Sequence, residues 1–346
     1  MSEKITIYDI AKKLNITAAT VSRALNNNPR ISDATRKLVM ETAASMGYTQ
    51  NKLALALKSG KSNLVGVIVP YIDTSFFASI IRGIEEALYP EGYNVIICQT
   101  HETQEREVET VNTLLNAQVD GILMSVSKSS KDTTHFDHIL NKKIPLVFFD
   151  RRKNVKGVSS VTIDDFEGGY EATKHLIEQG CKKIAHLSGD WSLEIYKKRF
   201  EGYKHALLDH GLEFDDKYLL HVKSDTAAGR AAVDTLMKLD EKPDAIFSSS
   251  DFVALGTIQR LQELGFSLPD DFCVVGFSNE PFTQLMELSI SSVDQAPHEM
   301  GKMAAKVFLD HVSSVGKVKI EQKVELTPHL IIRKSSSKSA VSELAK

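Results

Sequence analysis

From residue 63 to residue 334 the chain alternates short apolar runs with amphipathic stretches, and few architectures accept that pattern. Runs at 64–69, 94–98, 121–126 and 146–149 have strand length. Between them, 77–89, 104–116 and 134–141 carry apolar residues at helical spacing. A second set follows Asp150: strands at 160–163, 184–187, 218–222, 245–248 and 273–276, separated by helices at 167–179, 197–209, 227–238 and 252–264. Residues 297–312 read as a helix returning towards the first set, and 324–332 as a closing strand. The expected fold is α/β, a parallel-sheet body of two lobes. Ligands of such sheets bind beyond the carboxyl ends of the strands, which directs attention to Tyr71, Phe76, Phe77, Asp150, Arg151, Trp191, Asp251 and Ser278. Aromatic rings there would stack on a ligand, and the charged groups would exchange hydrogen bonds with hydroxyls. Phe76 fits equally as an anchor for the helix after it, and Asp251 as that helix's cap.

Residues 6–47 follow a different rule and read as three short helices. Thr6 and Asp9 have the separation of a capping pair, and Ile7, Ile10, Ala11 and Leu14 share one face, which predicts a helix over 7–14. Asn15 and Ile16 interrupt it. Thr17 then caps a second helix whose buried side is Val21, Ala24 and Leu25, and Ser32 caps a third that runs to Gly47 with Leu38, Val39, Ala43 and Met46 inward. The other side of the second helix presents Ala18, Ala19, Thr20, Ser22 and Arg23. Small residues allow close approach to base edges, hydroxyls donate to phosphates, and a guanidinium matches O6 and N7 of guanine. Helical spacing alone fits an ordinary three-helix subdomain as well.

Charge separates the two readings. Residues 1–63 hold ten Lys or Arg against four acids, a net +6, so the remainder carries −9 of the whole-chain −3. A basic module joined to an acidic body is what a polyanionic partner would require of the first alone.

The chain resembles the LacI/GalR family of bacterial transcriptional regulators over nearly its full length. The motifs that carry the likeness are Tyr8-Asp9-Ile10-Ala11, the run from Ala19 through Thr20, Val21, Ser22 and Arg23 to Asn26, Ile31-Ser32 with Thr35-Arg36, and Met46-Gly47-Tyr48. The resemblance implies a helix-turn-helix head over 1–48, a hinge over 49–62, a two-lobed periplasmic-binding-protein-like body for effector binding and dimerisation over 63–334, and a polar tail over 335–346. It implies phosphate contacts from Tyr8, Thr20, Ser22, Asn26, Ser32 and Thr35, and base contacts from Ala18, Ala19 and Arg23, with Thr17 at the start of the reading helix. Several members have longer side chains at the positions of Ala18 and Ala19, so thymine methyls or duplex shape are left as the readout.

Residues 51–61 resemble the family's hinge, which places Leu57 as a wedge between base steps in the minor groove and Lys58 beside it. Two positions depart from the usual pattern: Gln50 stands for a Pro and Leu55 for an Arg. A plain flexible linker is the competing reading. Gly60-Lys61-Ser62 echoes a phosphate loop, but Leu55 occupies the place of its first glycine. By the same likeness Phe76, Phe77, Asp150, Arg151, Leu193, Arg199, Ser224, Asp251 and Ser278 line the effector cleft. Leu193, Ser224 and Ser278 replace a polar or basic group, an aromatic and an Asp respectively, which points to an unusual effector.

The apolar share of 42% and the charged share of 25% suit a small head and a two-lobed core. No apolar run reaches membrane length and the N-terminus has no secretion-type segment, so a cytoplasmic protein is expected, with no membrane partner. Cys98, Cys181 and Cys273 are widely spaced and read as reduced packing residues. His101-Glu102 lacks the second His of a zinc helix, His135 and His138 lack a third ligand, and no nucleophile elbow occurs. No enzyme activity, metal or cofactor is expected. The expected function is a sequence-specific, homodimeric DNA-binding regulator, a repressor, controlled by a small molecule such as a sugar or sugar derivative. A cytosolic small-molecule receptor whose N-terminal helices bind protein is the alternative, and the charge split argues against it.

Overall fold

The computed structural model describes residues 5–49, 61–313 and 320–338. The chain divides into two compact units between Ser62 and Asn63.

The first unit contains three helices, α1 (Ile7–Leu14), α2 (Ala18–Leu25) and α3 (Asp33–Ser45). Thr6 and Asp9 cap α1 reciprocally, and Asn15 ends it in the left-handed conformation at φ 51°. Thr17 and Ser32 cap α2 and α3 through their hydroxyls. Ile10, Val21, Ala24 and Val39 are fully buried together, with Ala11 and Ala43 beside them. Leu38 is a correction: it is 52% exposed. The inward stripe of α3 is Val39, Thr42, Ala43 and Met46, whose i, i+3, i+4, i+7 spacing leaves Leu38 one position outside.

The second unit holds two six-stranded sheets. Its elements in chain order are β1 (Leu64–Val69), α4 (Ser75–Leu88), β2 (Asn94–Gln99), α5 (Gln104–Asn116), β3 (Gly121–Met124), α6 (Thr134–Asn141), β4 (Leu146–Phe149), β5 (Ser159–Ile163), α7 (Asp165–Glu178), β6 (Ile184–Ser188), α8 (Glu194–Asp209), β7 (Leu219–His221), α9 (Thr226–Leu236), β8 (Ala245–Ser248), α10 (Asp251–Glu263), β9 (Cys273–Phe277), α11 (Phe282–Leu285), β10 (Ser291–Asp294), α12 (Pro297–Ser313), β11 (Lys323–Leu326) and β12 (His329–Ile331). The first sheet runs β11-β5-β4-β3-β1-β2 and the second β12-β10-β9-β8-β6-β7. All pairings are parallel except that of β10 with β12.

The central strands of each sheet are buried on both faces, as parallel strands joined by helical crossovers must be. Along β1, Val65, Val67 and Val69 enter the core shared with α4 and α12, while Ile68 enters the opposite core with α5 and α6. The second lobe repeats the arrangement, with α9 and α10 over one face and α7 and α8 over the other. At the α7–α8 contact Gly169 faces the Arg199 carbonyl and Gly202 faces the Phe166 carbonyl, so a Cβ at either would strike backbone. That close approach sets Arg199 directly beside the start of α7.

Three expectations change. The sequence pattern puts residues 160–163 in the second lobe, but β5 pairs with β4 in the first sheet, and the chain crosses over only after Ile163. The single closing strand 324–332 is two strands, β11 in the first sheet and β12 in the second. Pro328, which cannot donate to a ladder, lies between them. The polar tail expected from 335 is docked as far as residue 338: Ser335 donates to the Val274 carbonyl at 2.6 Å, and Ser336 bonds His175 and Ser291. Hydroxyls and amides with partners inside the fold bury at little cost. As expected, 297–312 returns to the first lobe, where α12 packs on α4. The unread strand β10 is serine-rich, and its buried Ser291 and Ser292 hydroxyls are hydrogen-bonded.

Candidate functional site

Two regions hold the candidate residues. In the first unit, Tyr8 is 72% exposed, and Thr17, Ala19, Arg23, Asn26 and Ser32 are exposed as well. Thr20, Ser22 and Thr35 are half-buried, and half-buried Ala18 leans on the core. The Arg23 carbonyl accepts the Asn28 N–H at 3.0 Å, while its exposed guanidinium makes no hydrogen bond or ion pair among the described residues. Thr17 and Thr20 share a hydroxyl hydrogen bond of 2.9 Å, and Ser32 and Thr35 share one of 2.8 Å. The Asn26 amide donates to the Ser22 carbonyl. No acidic side chain lies in the first turn of α2, so its free N–H groups and their partial positive charge are unopposed. A face of exposed N–H, hydroxyl and guanidinium donors suits a polyanion. Leu57 and Lys58, expected in the hinge, lie outside the described residues.

In the second unit a cavity of about 250 Å³ opens where the chain crosses between lobes. Asp150, Arg151 and Leu193 of the expected set line it, as do Asp165, Phe166 and Lys198. Asp150 ends β4 in the left-handed conformation, φ 59°, and accepts the Ser125 hydroxyl at 2.9 Å. Burial raises its pKa against the pull of Arg151. Arg151 donates to Glu102 at 2.7 Å.

Behind Asp165 lies Arg199, only 3% exposed. Its Nε donates to Asp165 at 2.8 Å, one terminal nitrogen donates to the Ser249 carbonyl at 3.0 Å, and the other to Gln295 at 3.2 Å. The guanidinium also lies 3.6 Å above the Phe277 ring. Burial pushes the Asp165 carboxyl up to about 6 even with Arg199 beside it. Gln295 in turn donates to Ser278, whose φ is 119°, which ties Ser278 to the same network.

The remaining expected residues stand elsewhere. Phe77 is a correction: it packs in the first-lobe core, and Phe76 sits edge-on to it against that core. The α4 helix begins at Ser75, so its first inward-facing position is Phe77. Asp251 is also a correction. Its two oxygens are taken by the Ser292 hydroxyl at 2.6 Å and the Glu280 N–H at 2.8 Å, so it ties β10 and the segment after β9 to α10, and Ser250 is the cap residue. Ser224 is exposed, bonded to the Tyr196 hydroxyl, and does not line the cavity.

Asp165 was missed. It lies two residues past the end of β5, close to the kind of position that singled out the other candidates, but the sequence pattern puts β5 in the wrong lobe.

No group of three or more His, Cys, Asp or Glu side chains able to hold a metal occurs among the described residues, and none of their helices is long and apolar enough to cross a membrane. The three cysteines are free thiols.

Residues 6–51 match the family described as bacterial regulatory proteins, lacI family, and residues 62–334 match the periplasmic binding proteins and sugar binding domain of LacI family. Catabolite control protein A of Priestia megaterium is 33% identical over 335 residues, 96% of this chain and 99% of that protein. Among solved structures, the transcriptional regulator CelR–cellobiose complex superposes with a TM-score of 0.72 at 27% identity, covering 96% of this chain and 99% of that one. A LacI family transcriptional regulator from Enterococcus faecium with bound ribose gives 0.71 at 27% identity over 79% of this chain and 98% of that one.

Proposed function

The chain belongs to the LacI family of bacterial regulatory proteins, a transcriptional regulator with a DNA-binding helix-turn-helix head and a ligand-binding body, and from that membership we propose that it is a repressor whose operator affinity is set by a sugar or sugar derivative bound between the lobes. The observation that carries the ligand half is the cavity at the lobe crossing, lined by buried Asp150 and Asp165 and by Arg151, with Arg199 holding Asp165 from behind. Carboxylates and the Arg151 guanidinium on one lining give directional acceptors and donors for hydroxyls. Cellobiose and ribose in the related complexes support a carbohydrate.

The DNA half uses Tyr8, Thr17, Thr20, Ser22, Asn26, Ser32 and Thr35 on phosphates, with Ala18, Ala19 and Arg23 towards bases. Leu57 and Lys58 enter the minor groove from the hinge. The active form is a homodimer on half-sites about 34–36 Å apart. Its place of action is the bacterial cytoplasm, where the chromosome is.

Thermal stabilisation across a panel of mono- and disaccharides, followed by selection of genomic fragments with and without each stabilising sugar, tests the reading. The expected result is one sugar class that raises the melting temperature and changes the retained fragments. Fragments retained equally with and without every stabilising sugar would sink it. Sedimentation at micromolar concentration should give twice the mass of the chain.

A further inference from the structure

Glu107 on α5 is fully buried, and it lines neither the cavity nor any surface of the head. Its carboxylate accepts the Ser127 N–H at 2.7 Å, the Ser130 hydroxyl at 2.8 Å and His135 Nε2 at 2.9 Å. Burial alone would push its pKa up, but these hydrogen bonds outweigh burial and hold it below the ordinary value. The far nitrogen of His135, Nδ1, is buried without a partner among the described residues. A buried carboxylate and an orphaned imidazole nitrogen are expensive features, and a fold that needed only core filling would use apolar side chains here.

What the cluster holds is a loop, residues 125–133, between β3 and α6. Ser127 also donates its hydroxyl to Thr100 at 2.8 Å, and Ser125 reaches Asp150. Lys128 lies between the tethered residues Ser127 and Ser130. Its N–H donates to Glu102, the carboxylate that also receives Arg151, and its ammonium lies 3.0 Å from Asp190. Asp190 follows β6, so this ion pair joins the first lobe to the second. Both loops carry cavity wall: Val126 on one side, Ser192 and Leu193 on the other. A second cross-lobe contact joins Ser75 to Glu280.

We propose that Glu107 is a positioning residue. Through Ser127 and Ser130 it holds loop 125–133 so that Lys128 closes on Asp190, and that pair is a latch biasing the lobes towards the closed arrangement before a ligand enters. The inference rests on the cavity being the effector site, since closure then sets the cost of ligand entry, but its test reads closure directly. An ion pair between half-exposed side chains shifts a two-state balance by about two- to five-fold, enough to tune a response without locking it.

The experiment uses the full chain without ligand, with spin labels on Glu105→Cys and Lys223→Cys in a Cys98→Ser background, and reads the inter-lobe distance distribution by pulsed electron resonance. Lys128→Ala should move population from the short to the long distance by about two- to five-fold. High salt should do the same to the unmodified latch, and Lys128→Asp with Asp190→Lys should restore the short distance. Glu107→Gln, or the milder Ser130→Ala if the former does not fold, should widen the distribution in the parent but add nothing in the Lys128→Ala background. An unchanged distribution in Lys128→Ala overturns the latch. Equal widening by Ser130→Ala with and without Lys128 overturns the positioning role. Neither readout involves DNA or sugar, so failure of the regulatory reading is seen separately, in fragment retention.

Discussion

Arg23 and Arg199 carry the same guanidinium under opposite conditions. The Arg23 guanidinium, on the head, is exposed and has no partner among the described residues, whereas that of Arg199, in the body, is buried and donates to Asp165, Ser249 and Gln295. A group meant for an external polyanion can stay hydrated until contact. One placed inside the protein must be satisfied by protein beforehand, because an unpaired buried charge is costly. It follows that head substitutions should cost binding and spare stability, while cleft substitutions should cost stability whatever they do to the ligand.

The largest test of that contrast is Arg199→Met, which leaves Asp165 buried without its partner and should destabilise the body by about 3–5 kcal/mol in chemical denaturation. Arg23→Ala should move the same curve by no more than about 0.5 kcal/mol. Equal small shifts in both would erase the distinction. Next comes pH. Burial raises Asp251 to about 7 and Asp165 to about 6, so the native state holds protons that the unfolded chain has released. Stability from these two is complete below about pH 4 and is lost as pH rises through 6 and 7. For Asp251 the swing is about 2–4 kcal/mol, and Asp251→Asn should flatten that part of the stability profile. Asp9 on the head has the opposite sign: the Thr6 hydrogen bond lowers its pKa, so its contribution is lost only as pH falls below the ordinary carboxylate range. A profile that is unchanged in Asp251→Asn would remove this part of the account.

Smaller effects belong to the head. Arg23→Ala should weaken operator binding by about 1–3 kcal/mol and relax preference at one base pair, which a binding-site selection would show. Thr17→Ala removes the α2 cap and should cost about 1 kcal/mol of stability, the one head change visible in both assays. If it changes operator affinity without changing the melting curve, Thr17 acts on DNA and not on the helix.

The same contrast explains what the sequence could convey. Local rules determine the head: Thr6, Asp9, Thr17 and Ser32 cap helices within three residues of themselves, and all three helices are where those signals put them. Leu38 was misplaced by one step of helical phase, and Ala18, expected on the outward side, leans partly on the core. The body's helices and most of its strands were equally local in origin. Which sheet a strand joins is a non-local property, and there β5 and the 324–332 segment were misread. The cleft suffers most from this. Asp165 meets Arg199 across 34 residues of chain, Gln295 meets it across 96, and Phe77 turns inward because of where α4 begins. Nothing local marks Glu107 among the acids of its amphipathic helix, because its partners Ser127, Ser130 and His135 are 20 or more residues away.

The central claim, that occupancy of the cleft sets the grip of the head, is tested most directly by titrating a selected operator fragment with the full chain. The titration is made by fluorescence anisotropy, with and without the sugar that most stabilises the body. The account predicts a change of about 5–150-fold in operator affinity at saturating sugar, the range expected of coupled sites. Identical titration curves, with the sugar demonstrably bound, would contradict it.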